Sequence, residues 1–584
     1  MTTKLLAIAA AALALATSIA GVSAAGRPNV IVLITDDQGY GDFSRHGHPV
    51  LKTPNLDKLA GESVRLTDFH VCPMCTPTRG QLLTGIDCLR NGAMNVSSGR
   101  TLLRRGIPTL ANYFAASGYQ CGQFGKWHLG DNYPYRPQDR GFHESLWFPS
   151  SHIGSAADAW NNDYFDDTYR HNGRDQQYQG YTTDVFFREA LSWMKSQAEA
   201  NRPFYCNLAT AAPHGPLFVP EKYRQQYTGQ PRNIASFFGM IANIDENVGQ
   251  LEAFLSESKL RDNTLVVFLT DNGGTAGVPV FNSGLRGKKI DLYDGGHRVP
   301  CFVRWPAGGL GQPRDIGELT TVQDIAPTLV ELCGPIAKDA KFDGLSLAAL
   351  LAGKAEKLAD RKLVIQFSRM NAPVPKQNDA CVLWQKWRLV NGVELFDLAA
   401  DPGQQKEIAG DTSQVLGVMK AHYDAWWDGL KPQLNEFSLV VVGNDAENPS
   451  RLSACEWADV FLDQMAQVRR GERKNGVWHL EIDRAGAYEF TLRRWPADAR
   501  LPIVAAAPPY QAADGLLPAG IALPIAQARI KIGGFERTVE VGPQDQFITF
   551  TTELKAGPAE MQSWFLESGG KEVCGAYFAE VRRK

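Results

Sequence analysis

A chain of 584 residues is too long for one compact core, and length alone suggests roughly two to four domains. Its 60 Lys and Arg nearly balance 63 Asp and Glu, so no basic tract argues for a nucleic-acid partner. Any recognition of anions must be built locally.

Residues 1 to 25 read as a secretory signal peptide. Lys4 gives a positive start, Leu5 to Ala20 is a short apolar run, and Val22-Ser23-Ala24 is a small-residue cleavage site. The run is short for a membrane span, and no cysteine follows it for lipid attachment. Export to the periplasm or exterior is expected, with no stable membrane anchor. Ten cysteines are widely scattered, and an exported protein can pair some of them, though spacing does not say which.

The mature chain opens with Asn29-Val30-Ile31-Val32-Leu33-Ile34, a β-branched run that suits a strand buried on both faces. It ends in Thr35-Asp36-Asp37-Gln38-Gly39-Tyr40-Gly41-Asp42. Adjacent carboxylates there are costly unless paired or bound to a cation, and open α/β sheets bind ligands at that edge. A solvated Asp-rich turn is the plain alternative. A capped helix is expected from Thr53 to Ala60. In Cys75-Thr76-Pro77-Thr78-Arg79, Pro77 fits a first helical turn, which places Cys75 at a helix N-terminus with Arg79 returning to the same face. Cys72 and Cys75 also form a Cys-x-x-Cys, a redox pair or half a zinc site whose second half is missing.

A strand over Gly118 to Gly125 leads to Lys126-Trp127-His128, where alternation points Lys126 and His128 to one face. A surface Lys and a core His would look the same. Residues 141 to 180 read as long loops carrying Ser150, Ser151 and His152. A helix from Thr182 to about Ala198 precedes a strand at Phe204 to Ala209, after which comes His214. An amphipathic helix spans Asn233 to about Leu260. Thr264 to Thr270 then repeats the buried-strand pattern and ends in Asp271-Asn272-Gly273-Gly274. Two buried strands ending in Asp-Asp and Asp-Asn supply the hard oxygen set that calcium or magnesium takes.

Leu285 to Pro300 carries Arg286, Lys288 and Lys289, followed by a strand at Cys301 and a capped helix from Asp324 to Gly334. From about 360 to 400 short strands alternate with turns, and a helix follows near 413 to 430, as in a small antiparallel subdomain. Beyond 437 short strands dominate, with a helix near 455 to 468, and a separate β-sandwich is expected. Its aromatics, such as Trp478, Trp495 and Tyr510, read as core first and as a carbohydrate platform second. The divisions are therefore 1–25 signal peptide, 26–355 catalytic α/β domain, 356–436 antiparallel α+β subdomain and 437–584 β-rich accessory domain.

Five of these stretches, in order, resemble the type I, formylglycine-dependent sulfatases: Asp36 to Asp42, Cys75 to Gly85, Gly125 to Gly130, Asp271 to Gly274 and Leu285 to Pro300. The resemblance covers residues 28 to 435. It implies an alkaline-phosphatase-like mixed sheet sandwiched by helices, and hydrolysis of a sulfate ester. It further implies that a maturation enzyme oxidises Cys75 to formylglycine (3-oxoalanine). One calcium ion would be held by Asp36, Asp37, Asp271, Asn272 and an oxygen of modified Cys75. Arg79 would hold the aldehyde hydrate; Lys126, His128, His214 and Lys289 would surround the sulfate, and Ser151 matches a substrate-side position. The match puts the family lysine at Lys289, with Lys288 beside it.

The chemistry asks for these residue types independently. In an aldehyde hydrate one hydroxyl attacks sulfur, and loss of the proton from the other expels sulfate without a second attack by water. A cation and lysines stabilise the charge. His128 suits the proton acceptor, and His214 with Lys289 the leaving oxygen. Thr78, Asp294 and His297 depart from the usual pattern without removing a ligand. The expected substrate is a sulfated small molecule or polysaccharide. Phosphate or phosphonate ester hydrolysis on the same fold, and a silent calcium-dependent binder of sulfated glycans, are the alternatives.

Overall fold

A computed structural model describes residues 27–411 and 413–584. The expected signal peptide therefore lies outside the described residues. No helix among the described residues is long and apolar enough to cross a membrane.

The centre is a ten-stranded mixed sheet. Its strands, in chain order, are β1 (Asn29–Thr35), β2 (Val64–Leu66), β3 (Gln120–Gly125), β4 (Glu144–Trp147), β5 (Thr168–His171) and β6 (Arg174–Gln177). They continue with β7 (Phe204–Ala209), β8 (Thr264–Thr270), β9 (Cys301–Arg304) and β10 (Arg314–Ile316). Across the sheet the order is β10-β2-β9-β8-β1-β7-β3-β4-β5-β6. β1 lies parallel to both β7 and β8, whereas β9 runs antiparallel to β8.

Strand alternation explains why β1 is apolar at nearly every position. Ile31 and Leu33 pack on one face with helices α2 (Thr182–Glu199) and α3 (Arg232–Glu257), through Phe186 and Met240. Val30, Val32 and Ile34 point to the other face. There they meet Leu82 and Leu83 of α1 (Cys75–Thr84) and Leu329 of α4 (Ile325–Cys333). The helices expected near 182–198 and 233–260 therefore form close to their predicted limits.

Residues 141–180 differ from the expectation of loops throughout, because β4, β5 and β6 extend the sheet there. All four residues of β6, Arg-Asp-Gln-Gln, are exposed. A strand held only by its ladder leaves no apolar alternation to read.

Four antiparallel strands, β11 (Lys362–Ile365), β12 (Cys381–Trp384), β13 (Trp387–Val390) and β14 (Glu394–Asp397), form a second sheet in that order. The helix α5 (Ser413–Asp428) packs its Met419, Tyr423 and Trp427 against this sheet. From 440 onward two further sheets face each other. One contains Val477–Ile482, Gly557–Leu566 and Gln527–Ile532; the other contains Gly486–Arg493, Ile548–Leu554 and Phe578–Arg583. Leu480, Phe490, Ile530 and Val581 meet between them. Trp478 and Trp495 are buried in that core and Tyr510 is half-buried, so the two tryptophans serve packing and not a carbohydrate platform. The helix expected over 455–468 shrinks to a turn at Ala454–Glu456 and a helix at Met465–Arg469. Trp457 and Leu462, in the chain between them, are drawn into the sandwich core.

Candidate active site and metal centre

The register of β1 and β8 creates the site. Thr35 pairs with Thr270, so Asp36 and Asp271 leave the sheet side by side. Asp37 turns back at once, with φ of 65°, a conformation a non-glycine residue holds only when its surroundings impose it. They do so here: the Asp37 N–H donates to Asp271 Oδ1 at 3.1 Å. Asn272 Nδ2 and Lys289 Nζ donate to Asp37 Oδ1 at 2.9 and 2.5 Å. Lys288, its neighbour, is exposed.

Every residue of α1 is buried, so this helix is seated by its polar groups as well as its leucines. Cys75 opens the helix, as expected. One turn later Arg79 donates through Nη2 and Nε to Asp271 Oδ2 at 2.8 and 3.2 Å. Lys126 follows β3, where Gly125 has φ of 94° and a side chain would strike the Ala209 carbonyl. That glycine lets the chain turn so that Lys126 Nζ reaches Asp36 Oδ2 at 2.6 Å.

Asp36, Cys75 and Asp271 each offer a ligand atom within 4.8 Å of the others. Asp36 Oδ1 and Asn272 Oδ1 are buried with no hydrogen-bond partner. Orphaned buried oxygens are costly, and carboxylate and amide oxygens are the donors calcium prefers. Asp36, Asp37, Asp271 and Asn272 therefore fit a hard cation.

Charge supports that fit. Three carboxylates here stand beside Arg79, Lys126 and Lys289, so the cluster is formally neutral, and a divalent ion would leave it positive towards an anion. Burial, with Asp271 alongside, raises the Asp36 carboxyl well above its usual range despite Lys126. Burial opposes ionisation of Asp37 as well, yet Lys289, with Asn272 also donating to its side chain, overcomes it and holds Asp37 ionised. Burial pushes the Cys75 thiol up, so it rests as a thiol and not a thiolate.

Two histidines border the cluster. His128, also at positive φ (59°), bonds through Nε2 to the Val96 carbonyl at 2.8 Å. That bond makes Nε2 the protonated nitrogen and leaves Nδ1, buried without a partner, as the basic one. Burial and Lys126 hold His128 well below its usual pKa, hence neutral. His214 bonds through Nδ1 to the Gly215 carbonyl at 2.8 Å, and its Nε2 lies 3.8 Å from Asp37 Oδ2. Burial and the nearby lysines bring its pKa to about 3, although Asp37 opposes them.

Ser151 is buried on the far side of His214. Its hydroxyl donates to Asp463 Oδ2 at 2.6 Å and meets His152 Nδ1 at 2.6 Å, and the His152 ring stacks on His214 with centroids 4.9 Å apart. His152 and Asp463 were not among the sequence-derived candidates. Asp463 lies 312 residues from Ser151 in a chain segment with no motif; only the adjacency of Ser151 and His152 carried a hint.

A second buried group is formed by His70, Asp294 and His297. Arg388 donates to Asp294 Oδ1 at 3.1 Å and to Asp68 Oδ1 at 3.0 Å, and the two His Nδ1 atoms are 2.9 Å apart. Arg388, on β13, thus ties Asp68 and Asp294 together. All ten cysteines are free and buried. Cys72 approaches Cys88 at 3.9 Å and Gln81 at 3.3 Å, so it packs as a core thiol beneath α1.

Comparison with known proteins agrees with this geometry. Residues 28–335 match the sulfatase family model, and 284–423 match the C-terminal model of N-sulphoglucosamine sulphohydrolase. The chain is 31% identical over 390 residues to the dog N-acetylgalactosamine-6-sulfatase, covering 60% of this chain and 71% of that protein. To human arylsulfatase A it is 32% identical over 375 residues, 57% and 69% of the respective chains. The solved structure of Ps i-CgsB in complex with k-i-k-neocarrahexaose superposes with a TM-score of 0.63 at 25% identity, covering 69% of this chain and 93% of that one. A mixed sheet ending in paired acid residues, a buried cysteine heading a helix, and these matches together establish that the chain belongs to the sulfatase family and is a sulfuric ester hydrolase.

Proposed function

We propose that this sulfatase removes sulfate from a sulfated carbohydrate, using a nucleophile made from Cys75 and one calcium ion held by Asp36, Asp37, Asp271 and Asn272. The observation that carries the reading is the convergence of Cys75 with Asp36 and Asp271 inside 4.8 Å, ringed by three cationic side chains. Oxidised to an aldehyde by a separate maturation enzyme, Cys75 would supply a geminal diol, a nucleophile the buried thiol is not. The calcium, when bound, would lower the pKa of that nucleophile and neutralise charge on the sulfate.

This chain's own residues supply the rest. Arg79, pinned on Asp271, orients the oxygen at position 75. Lys126 and Lys289, each bonded to a carboxylate, offer positive charge to the sulfate oxygens. His128 receives a proton at Nδ1. His214, neutral at rest, gains proton affinity when a sulfate anion offsets Lys126 and Lys289, and can then donate through Nε2 to the departing alkoxide. Ser151 bounds the substrate side.

Two features support a carbohydrate substrate: relatives named for action on sugars, and a leader that reads as an export signal. The catalytic assignment belongs to residues 26–355, with 356–436 as its companion subdomain and 437–584 as an accessory unit. Sulfate release from 4-nitrophenyl sulfate, compared with phosphate release from 4-nitrophenyl phosphate, tests the reading. The sulfate ester is expected to be the faster substrate, and faster phosphate cleavage would overturn it.

A further inference from the structure

Both family models end by residue 423, yet the chain beyond 440 reaches the site. Asp463 accepts hydrogen bonds from Ser150 Oγ at 3.1 Å and Ser151 Oγ at 2.6 Å, and its side chain is 3.8 Å from His152 Nδ1. The backbone locks this contact. Ala156 N donates to the Asp463 carbonyl at 2.7 Å, Met465 N donates to the Gly154 carbonyl at 3.2 Å, and Ser155 bridges to Gln464. Residues 154–156 and 463–465 therefore form a short β-like seam between the two parts of the chain.

Next to that seam lies a cavity of about 290 Å³. His152, His214, Met465, Arg469, Leu517 and Pro518 are among the residues that line it. His214 lines the cavity and its Nε2 is also 3.8 Å from Asp37 Oδ2, so one residue links the cavity to the carboxylate cluster. Arg469, 2% exposed, donates to Asn161 Oδ1 at 2.7 Å and to the Pro518 carbonyl at 2.8 Å, while its buried Nε lacks a partner. The cavity thus combines apolar faces with a buried donor and two imidazoles. That mixture suits a sugar ring, whose apolar face stacks while its hydroxyls seek partners. The volume sits at the low end of the roughly 300–1,000 Å³ usual for ligand pockets, room for one ring and not an extended chain.

We infer that the accessory β-sandwich completes the substrate site. The cavity between His152, His214 and Met465–Arg469 receives the sugar ring that bears the sulfate, and Asp463 is a positioning residue that orients Ser151 and His152 towards it. This rests on the carbohydrate-sulfatase reading above. In the resting site the Ser151 hydroxyl proton is committed to Asp463, so the arrangement of Ser151 and His152 depends on a carboxylate from the other part of the chain.

The test compares the mature full-length enzyme with Asp463→Ala, Asp463→Asn and Met465→Trp, the last adding bulk to the cavity lining while keeping the backbone N–H that bonds to Gly154. Each is assayed on 4-nitrophenyl sulfate and on N-acetylgalactosamine 6-sulfate, glucosamine 6-sulfate and galactose 4-sulfate, with thermal midpoints recorded to follow folding. Asp463→Ala and Met465→Trp are expected to lower the ratio of sugar-sulfate to aryl-sulfate kcat/KM by at least tenfold, mostly through KM, with Asp463→Asn recovering part of the loss. An unchanged ratio in Met465→Trp overturns the inference and leaves the sulfatase reading standing. A parent enzyme that releases sulfate only from the aryl ester overturns the carbohydrate reading and the inference with it.

Discussion

The pair formed by Lys126 and Asp36 offers the sharpest physical prediction. Both side chains are fully buried, 2.6 Å apart, and Asp36 is already hard to ionise because burial and Asp271 oppose its charge. Replacing Lys126 by Met removes the closest compensating cation and keeps the volume. Leaving a buried charge without its partner costs about 3–5 kcal/mol, unless the charge is removed by protonation. The folded-state pKa of Asp36 lies above its unfolded value and rises further in Lys126→Met, so stability is lost as pH increases and is kept at low pH. In chelator, the variant is expected to unfold close to the parent at pH 5 and well below it at pH 8. For a folded unit of about 300 residues at about 2.1 cal/mol/K per residue, about 4 kcal/mol corresponds to a drop of about 6 °C. Differential scanning calorimetry at the two pH values reads this directly, and calcium should recover part of the pH 8 loss. A destabilisation equal at pH 5 and pH 8 would refute the assignment of Lys126 as the partner of an ionised Asp36.

Other consequences are open to routine assay. Chelation should lower the thermal midpoint of the parent, and calcium at about 100 times its Kd should restore about 2.7 kcal/mol; a midpoint insensitive to chelator contradicts the proposed ligand set. His128→Gln should reduce kcat by about 10²–10⁴-fold, the usual contribution of a positioned base, measured on 4-nitrophenyl sulfate with folding checked by circular dichroism. Burial raises the Asp42 carboxyl to about 7, with the Gly39 N–H opposing. The native state therefore binds that proton more tightly than the unfolded chain, and stability falls between about pH 4 and 7. Asp42→Asn should flatten that slope and gain most at pH 8 in urea titrations.

Much of this site was legible in the sequence because its ligands sit at the ends of strands with strong patterns. The apolar runs before Asp36 and Asp271 announce buried strands, and parallel pairing at matched register then brings the two ends together. Cys75 and Arg79 were legible for a similar reason, since helical spacing fixes their shared face. The hairpin of β5 and β6 was not, because β6 is polar and exposed throughout and β5 buries only Tyr169, which leaves no apolar alternation to read. Neither was Asp463. Its importance comes from the seam at 154–156 and 463–465, a tertiary contact for which no local periodicity exists. Trp478 and Trp495 show the reverse case, where the tendency of aromatics to pack in the core was the better guide than an exposed platform.

The central claim is that Cys75 is the precursor of the nucleophile and does not act as a thiol. Mass spectrometry of the proteolytic peptide containing Cys75, from protein purified from its native source, tests it most directly. Replacing CH2–SH by CHO lowers the peptide mass by about 18 Da, and that species is the expected one in active enzyme. Active enzyme whose Cys75 peptide carries the full thiol mass would contradict the account.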